Sequence, residues 1–262
     1  MKTEYADTKA ASRLFSWNWI SSEFTKGWET LSTSSAHTDE KPIWESGFTD
    51  VRLLEVPSET GTPFRIAFKT YREKRFFRYF LRPSLAAREA KGFAVAASLD
   101  IPVVKVLAFG EKRKFLNLES AFFITAFEEN TQTMLFFREN YEDREKLLFL
   151  LKENIVRLAK LHAAGYVHCG AHPRNFLWKD NTEGKPESIW LDLASLRKMP
   201  GGKKKWKYLL TDLSDFCELF KLTQAELDML LAEYLKIFPI PVAYKLRTDH
   251  QWKFSEAYRT DK

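Results

Sequence analysis

Cysteine is nearly absent: Cys169 and Cys217 are the two in 262 residues. Two thiols cannot supply a disulfide framework or a four-cysteine zinc site, and a reducing compartment is expected. No run approaches the roughly 18–20 uninterrupted apolar residues that a membrane helix needs. The opening Met1-Lys2-Thr3-Glu4-Tyr5-Ala6-Asp7 lacks the basic-then-apolar order of a secretory signal. A soluble, cytoplasmic protein is therefore expected. No segment repeats at a fixed period. A Gly-x-Ser-x-Gly elbow is missing and Cys169 has no recognisable activating neighbour, which removes the serine and cysteine nucleophile readings.

What is there is ordinary for a globular chain, with 45% hydrophobic and 29% charged residues. That balance excludes collagen-like, low-complexity and largely disordered classes. At roughly 150 residues per domain the length suits one large domain or two lobes. The formal net charge of +6 favours polyanionic partners without naming one. Aromatic residues reach 15%, and four of the eight tryptophans (Trp17, Trp19, Trp28, Trp44) fall in the first 45 residues. That Ser/Thr-rich stretch has no sustained period and reads as a partly ordered N-terminal arm, residues 1–45.

From there the pattern changes. Phe64, Ile66 and Phe68 alternate with Arg65, Ala67 and Lys69, the mark of a half-buried strand. Residues 83–99 read as a helix carrying Arg88 and Glu89. Residues 101–110 and 121–127 read as strands parted by the charged, turn-like 111–114. The second half is more helical. Residues 144–165 carry Leu147, Leu148, Leu151, Ile155, Leu158, Ala159 and Leu161 near the 3.6 period, with Gly165 as a stop. A hairpin is expected over 175–178 and 188–193, turned at Asp180-Asn181-Thr182-Glu183-Gly184. Residues 209–222 read as a helix. Thr223-Gln224-Ala225-Glu226 has capping-box spacing and opens another, to about Phe238. The fold class is α+β: a β-rich lobe at 46–130, a helical lobe at 131–262, a connection near 128–131 and a cleft between them.

Four polar positions and a loop suit phosphoryl transfer. Lys69 ends a strand behind small Ala67, and Glu89 on the following helix can hold it as a fixed point charge for nucleotide phosphates. Asn175 and Asp192, on opposite arms of the expected hairpin, offer the oxygen ligands that Mg²⁺ prefers. Before them runs His168-Cys169-Gly170-Ala171-His172-Pro173-Arg174-Asn175, where Gly and Pro oppose helix. The same two residues, and the lack of a second ligand pair, argue against zinc on His168 and His172.

The segment His168-x-x-x-His172-Pro173-x-Asn175, followed by Trp190-Leu191-Asp192-Leu193-Ala194, resembles the catalytic loop and metal motif of protein-kinase-like phosphotransferases. With Arg65-Ile66-Ala67-Phe68-Lys69-Thr70-Tyr71, Ala87-Arg88-Glu89, Ile101-Pro102-Val103 and Thr211-Asp212-Leu213, it looks most like the Kdo and heptose kinases of the lipopolysaccharide core. The likeness spans about residues 45–240. It implies a two-lobed protein-kinase-like fold, ATP and Mg²⁺ as cofactors, and a lipopolysaccharide-core or related glycolipid acceptor. A cytoplasmic protein, peripheral on the inner membrane of a Gram-negative bacterium, follows. It assigns Lys69, Glu89, Ala67 and Gly47 to the nucleotide and Asn175 and Asp192 to the metal. His168 and Asp212 brace the loop.

One departure bears on activity. Gly170 stands where the family pattern has the aspartate that accepts the substrate hydroxyl's proton. A general base contributes on the order of 10²–10⁴-fold, so its loss predicts a crippled enzyme rather than an inert one. His172 is the candidate substitute. The phosphate loop is also reduced, with Gly47 its one glycine in Ser46-Gly47-Phe48-Thr49-Asp50. Three functions stay open: a lipopolysaccharide-core kinase, a pseudokinase scaffold, and a small-molecule kinase of the aminoglycoside or choline type. Basic and aromatic residues interleave over 72–82 and 203–208, as on a solvated basic face or a face seated on anionic membrane. Nucleic acid is not the expected partner.

Overall fold

A computed structural model describes residues 16–19, 44–45, 49–56, 64–72, 79–80, 82–114, 117–140, 143–217 and 219–239. Two compact units divide the chain: Met1–Phe93 with Val104–Glu129, and Ala94–Val103 with Asn130–Lys262.

The first unit is organised by six antiparallel strands: β1 (Ser16–Trp19), β2 (Trp44–Glu45), β3 (Thr49–Val56), β4 (Phe64–Arg72), β5 (Val106–Lys114) and β6 (Asn117–Ala126). Their order is β1-β5-β6-β4-β3-β2. Residues 16–19, within the expected arm, form an edge strand, Ser16 opposite Glu111 and Trp19 opposite Ala108. Four residues are too few for alternation to register in a sequence. The charged 111–114 is strand rather than turn, because β6 supplies partners through Lys114↔Asn117. Arg113 secures it by donating to Tyr79 O at 3.2 Å and Arg82 O at 2.8 Å.

Helix α1 (Leu85–Ser98) follows β4, with Ser84 Oγ accepting from Ala87 N at 3.1 Å near its start. Its residues to Phe93 belong to the first unit and the rest to the second. Phe93 lies 5.3 Å from Phe123, ring to ring. Phe123 is the register partner of Lys69. The face of β4 that alternation marks as polar is thus covered by α1.

The second unit contains a sheet ordered β10-β9-β7 and a ribbon β11-β8. These are β7 (Gln132–Thr133), β8 (Tyr166–Val167), β9 (Phe176–Asp180), β10 (Pro186–Trp190) and β11 (Arg197–Lys198). Its helices are the short α2 (Phe136–Glu139), α3 (Arg144–Ala163), α4 (Lys203–Cys217) and α5 (Gln224–Ile237). Helix α3 buries Leu147, Leu150, Leu151, Ile155, Leu158 and Leu161, a stripe of i, i+3, i+4 spacing. Asn154 sits on that stripe, fully buried. It is satisfied by donating to Ser188 Oγ at 2.9 Å and accepting from Trp190 Nε1 at 2.8 Å. A polar residue in the core stripe therefore ties α3 to β10.

Gly165 ends α3 with φ +82, a conformation that favours glycine. The capping box at Thr223 and Glu226 is formed, both reciprocal hydrogen bonds present. Glu226 also receives Arg144 Nε at 2.8 Å and Arg144 Nη2 at 2.5 Å. Arg144 further donates to Phe220 O at 3.1 Å, clamping the turn between α4 and α5. Its guanidinium holds the Glu226 carboxyl down to about 2, from an ordinary 4.5. A depressed carboxylate adds stability above its unfolded pKa and loses it as pH falls through the folded one. Arg144→Ala should cost about 2 kcal/mol at neutral pH. In thermal melts its deficit should hold constant above pH 4.5 and narrow as pH falls toward 2. A deficit unchanged across that window would contradict this account.

Candidate active site

In the first unit, β4 brings Lys69 and Tyr71 to one face, two residues apart. Lys69 Nζ donates to Glu89 Oε1 at 3.0 Å, and the Tyr71 hydroxyl donates to Glu89 Oε2. Glu89 is 1% exposed and Lys69 17%, so the carboxylate is sealed while part of the lysine reaches the surface. Lys69 Nζ also sits 5.2 Å from the Tyr71 ring centre. A buried carboxylate with two charge-satisfying donors fixes the ammonium in place. Ala67, half-buried on the same face, keeps the row beside Lys69 small. Gly47 lies outside the described residues. Asp50, two residues into β3, is buried and accepts from Thr70 Oγ1 at 2.5 Å, which makes it part of the sheet.

In the second unit the loop after β8 is held from below by Asp212 on α4. This fully buried carboxylate accepts from His168 N and Cys169 N, each at 2.7 Å. It also meets His162 Nε2 at 3.1 Å, while His162 Nδ1 lies 2.7 Å from the Tyr234 hydroxyl. An accepting carboxylate places the imidazole hydrogen on Nε2, so Tyr234 donates to Nδ1. The line Asp212–His162–Tyr234 joins the loop to α3, α4 and α5.

His168 is 1% exposed, its ring between Phe176 at 5.6 Å and Trp190 at 5.2 Å. Both its ring nitrogens are buried without a hydrogen-bond partner, and burial holds its pKa below the ordinary 6.5. Cys169 takes φ +58, a costly conformation for a residue with a side chain. Burial keeps its thiol above the ordinary 9.0 although Arg197 Nε lies 3.2 Å from Sγ. Burial pushes Cys217 up to about 12. Neither thiol is poised as a nucleophile.

Gly170 does not take the left-handed conformation, so the backbone does not demand glycine there. A Cβ built on it would lie 3.8 Å from His168 Nδ1, 3.8 Å from Ser195 Cβ and 3.9 Å from Asn175 Nδ2. All are ordinary contacts. His172 then precedes a 3₁₀ turn (Pro173–Asn175) in extended conformation.

Asn175 and Asp192 flank the hairpin rather than riding its arms, because the ladder closes at Trp190↔Phe176. Proline at the first position holds 173–175 in the turn. The two residues remain neighbours: Leu191 N donates to Asn175 O at 2.9 Å. Asn175 Nδ2 donates to Gly170 O at 2.8 Å, and Asp192 Oδ1 accepts from Ala194 N at 3.1 Å.

The loop is thus braced by a buried aspartate and has an asparagine tied back to it. The family model for the lipopolysaccharide kinase (Kdo/WaaP) family matches residues 67–234. The chain belongs to that family. Among solved structures it is similar to "WaaP in complex with acyl carrier protein", with TM-score 0.61 and 16% identity over 84% of this chain and 87% of that one. No curated protein sequence matches it significantly. Membership of a lipopolysaccharide kinase family places the chain among kinases of the lipopolysaccharide-core type.

The donor set fits a hard cation. With Nδ2 of Asn175 on Gly170 O, its Oδ1 would be the atom left for a metal, and Asp192 would add a carboxylate oxygen. Among the described residues no group of three His, Cys, Asp or Glu forms a metal-holding cluster. A magnesium ion here would complete its shell with phosphate oxygens and water.

The sequence reading missed Tyr71, His162 and Tyr234. Tyr71 had a signal, its period-two relation to Lys69. His162 had one too, a polar residue on the buried stripe of α3. Tyr234 lies 72 residues from His162 and had none. The basic–aromatic residues 203–208 are the opening turns of α4. Lys204 and Lys207 are exposed, and Arg197 covers the Tyr208 ring at 4.4 Å. Of residues 72–82, 73–78 and 81 lie outside the described residues. Among the described residues, no helix is long and apolar enough to cross a membrane.

Proposed function

We propose that the chain transfers the terminal phosphoryl group of ATP, with Mg²⁺, to a sugar hydroxyl of the lipopolysaccharide inner core or a related glycolipid. The observation that carries this reading is the braced loop, in which Asp212 fixes residues 168 and 169 and Asn175 fixes Gly170 through its carbonyl. Lys69, oriented by Glu89, would bind nucleotide phosphates. Asn175 and Asp192 would hold the magnesium, which when bound neutralises charge on the phosphates. The exposed Lys198, Lys204 and Lys207 suit peripheral contact with an anionic membrane face. An acyl carrier protein is a proposed partner on the likeness to the WaaP structure.

Gly170 favours a second reading, a pseudokinase that keeps nucleotide binding and serves as a scaffold. Both readings share a first step, which thermal unfolding with and without Mg-ATP tests. Ligand at about 100 times its dissociation constant stabilises by about 2.7 kcal/mol, a shift of several degrees for a chain this size. The shift should require the metal and vanish in Asp192→Ala. Absence of any shift at millimolar nucleotide would remove both readings.

A further inference from the structure

We infer that Arg197 reads the acceptor, its guanidinium taking an oxyanion, carboxylate or phosphate, that the sugar carries near the reacting hydroxyl. The inference rests on the phosphotransfer reading and names the chemistry which that site selects.

The fold sets Arg197 beside the loop. It lies in β11, opposite Val167 of β8, and Val167 directly precedes the braced residues 168–170. Ser195, just before β11, has its Cβ 3.8 Å from the Cβ position of Gly170. Two contacts then fix the guanidinium. Arg197 Nε donates to Cys169 Sγ at 3.2 Å, and Cζ lies 4.4 Å from the centre of the Tyr208 ring. Cys169 is itself held at φ +58 with its N–H on Asp212. A guanidinium pinned at Nε and stacked on one face has little rotamer freedom left to lose on binding.

Its charge is not spent by these contacts. Burial keeps the Cys169 thiol above the ordinary 9.0, so at neutral pH Sγ accepts as an uncharged atom. Arg197 is exposed and pairs with no carboxylate among the described residues. With Nε engaged, its terminal nitrogens form the planar fork that matches two oxygens of a carboxylate or phosphate. Lys198 on the same ribbon, and Lys204 and Lys207 on the helix that carries Tyr208, are exposed and add attraction for an anion. An arginine without those contacts would be an ordinary solvated cation. Pinned on two sides next to position 170, it is a prepared receptor, with Cys169 and Tyr208 as its positioning residues.

The probe is the lipid-free oligosaccharide of a lipopolysaccharide inner core, titrated by calorimetry into the full chain without nucleotide. Arg197→Gln should weaken its binding by about 10-fold or more, the loss of one charge-assisted bidentate contact. The melting temperature and the Mg-ATP melting shift should stay as in the native chain. Arg197→Lys should recover only part of the loss, since lysine has the charge without the fork. Tyr208→Phe, which keeps the ring, should bind as the native chain does, and Tyr208→Leu should bind more weakly. Two modified oligosaccharides separate the sources, one with its carboxylates reduced to alcohols and one with its phosphates removed. The anion that is read is the one whose removal weakens the native chain and leaves Arg197→Gln unaffected. In a transfer assay Arg197→Gln should raise KM for the acceptor by the same factor and leave KM for ATP unchanged. Equal affinity of native and Arg197→Gln chains, or no binding by either at millimolar oligosaccharide, overturns the inference even with the Mg-ATP shift intact. So does an Arg197→Gln loss confined to anionic vesicles, or one that is the same on the intact and both modified forms. Arg197-dependent binding without the Mg-ATP shift would support the anion site while removing the phosphotransfer reading.

Discussion

Asp212→Ala loses about 4 kcal/mol or more of stability and melts about 10 °C or more below the native chain. The size follows from what alanine leaves behind. Two backbone N–H groups and one imidazole nitrogen, all now satisfied by Asp212, lose their acceptor in a fully buried place. Each orphaned buried group costs about 1–3 kcal/mol. Against a total stability of about 5–15 kcal/mol the sum is a large fraction, and each kcal/mol moves a chain of this size by about 2–4 °C. Asp212→Asn keeps one accepting oxygen and should fall between the two. The loop is affected as well as the core. Cys169 is held at φ +58 while its N–H is bound to Asp212, and without that bond the conformation has less reason to persist. The Mg-ATP shift should therefore shrink along with the melting temperature. An alanine variant melting within 2 °C of native would mean that the brace carries little of the fold.

The parts of the site that share one strand, one helix face or one short motif were legible in the sequence. Lys69 and Glu89 are such a case, twenty residues apart and bonded at 3.0 Å. Alternation placed the lysine, and helical spacing placed its partner. The same alternation misjudged the face, since Ala67 and Lys69 read as outward until α1 is laid across them. Helix α4 starts at Lys203 although the apolar stripe reads only from Leu209. Lysine is a good helix former, so propensity extended a helix that amphipathicity did not signal. The hairpin ends at Phe176 and Trp190, inside the expected arms, because Pro173 commits its neighbours to a 3₁₀ turn. Least legible was the line from Asp212 through His162 to Tyr234. It is made of single residues on three helices, and packing alone decides that they meet.

Gly170→Asp should raise phosphoryl transfer to a core-sugar acceptor by about 10²–10⁴-fold, the range that a placed general base contributes. Nothing in the fold resists the change. Gly170 has no need of a left-handed conformation, and its added Cβ would meet neighbours at 3.8 Å and beyond. Asn175 already fixes the residue's carbonyl, and Asp212 the two amides before it, so the new side chain would start from a held backbone. The measurement is the initial rate of transfer from ATP, native chain against variant, with the Mg-ATP melting shift recorded for both. Unchanged melting shifts with no gain in rate would mean that more than the base has been lost, and would assign the chain to the pseudokinase reading. A gain of two orders of magnitude or more would show that every other part of the phosphotransfer machinery is present, with position 170 the one vacancy in it.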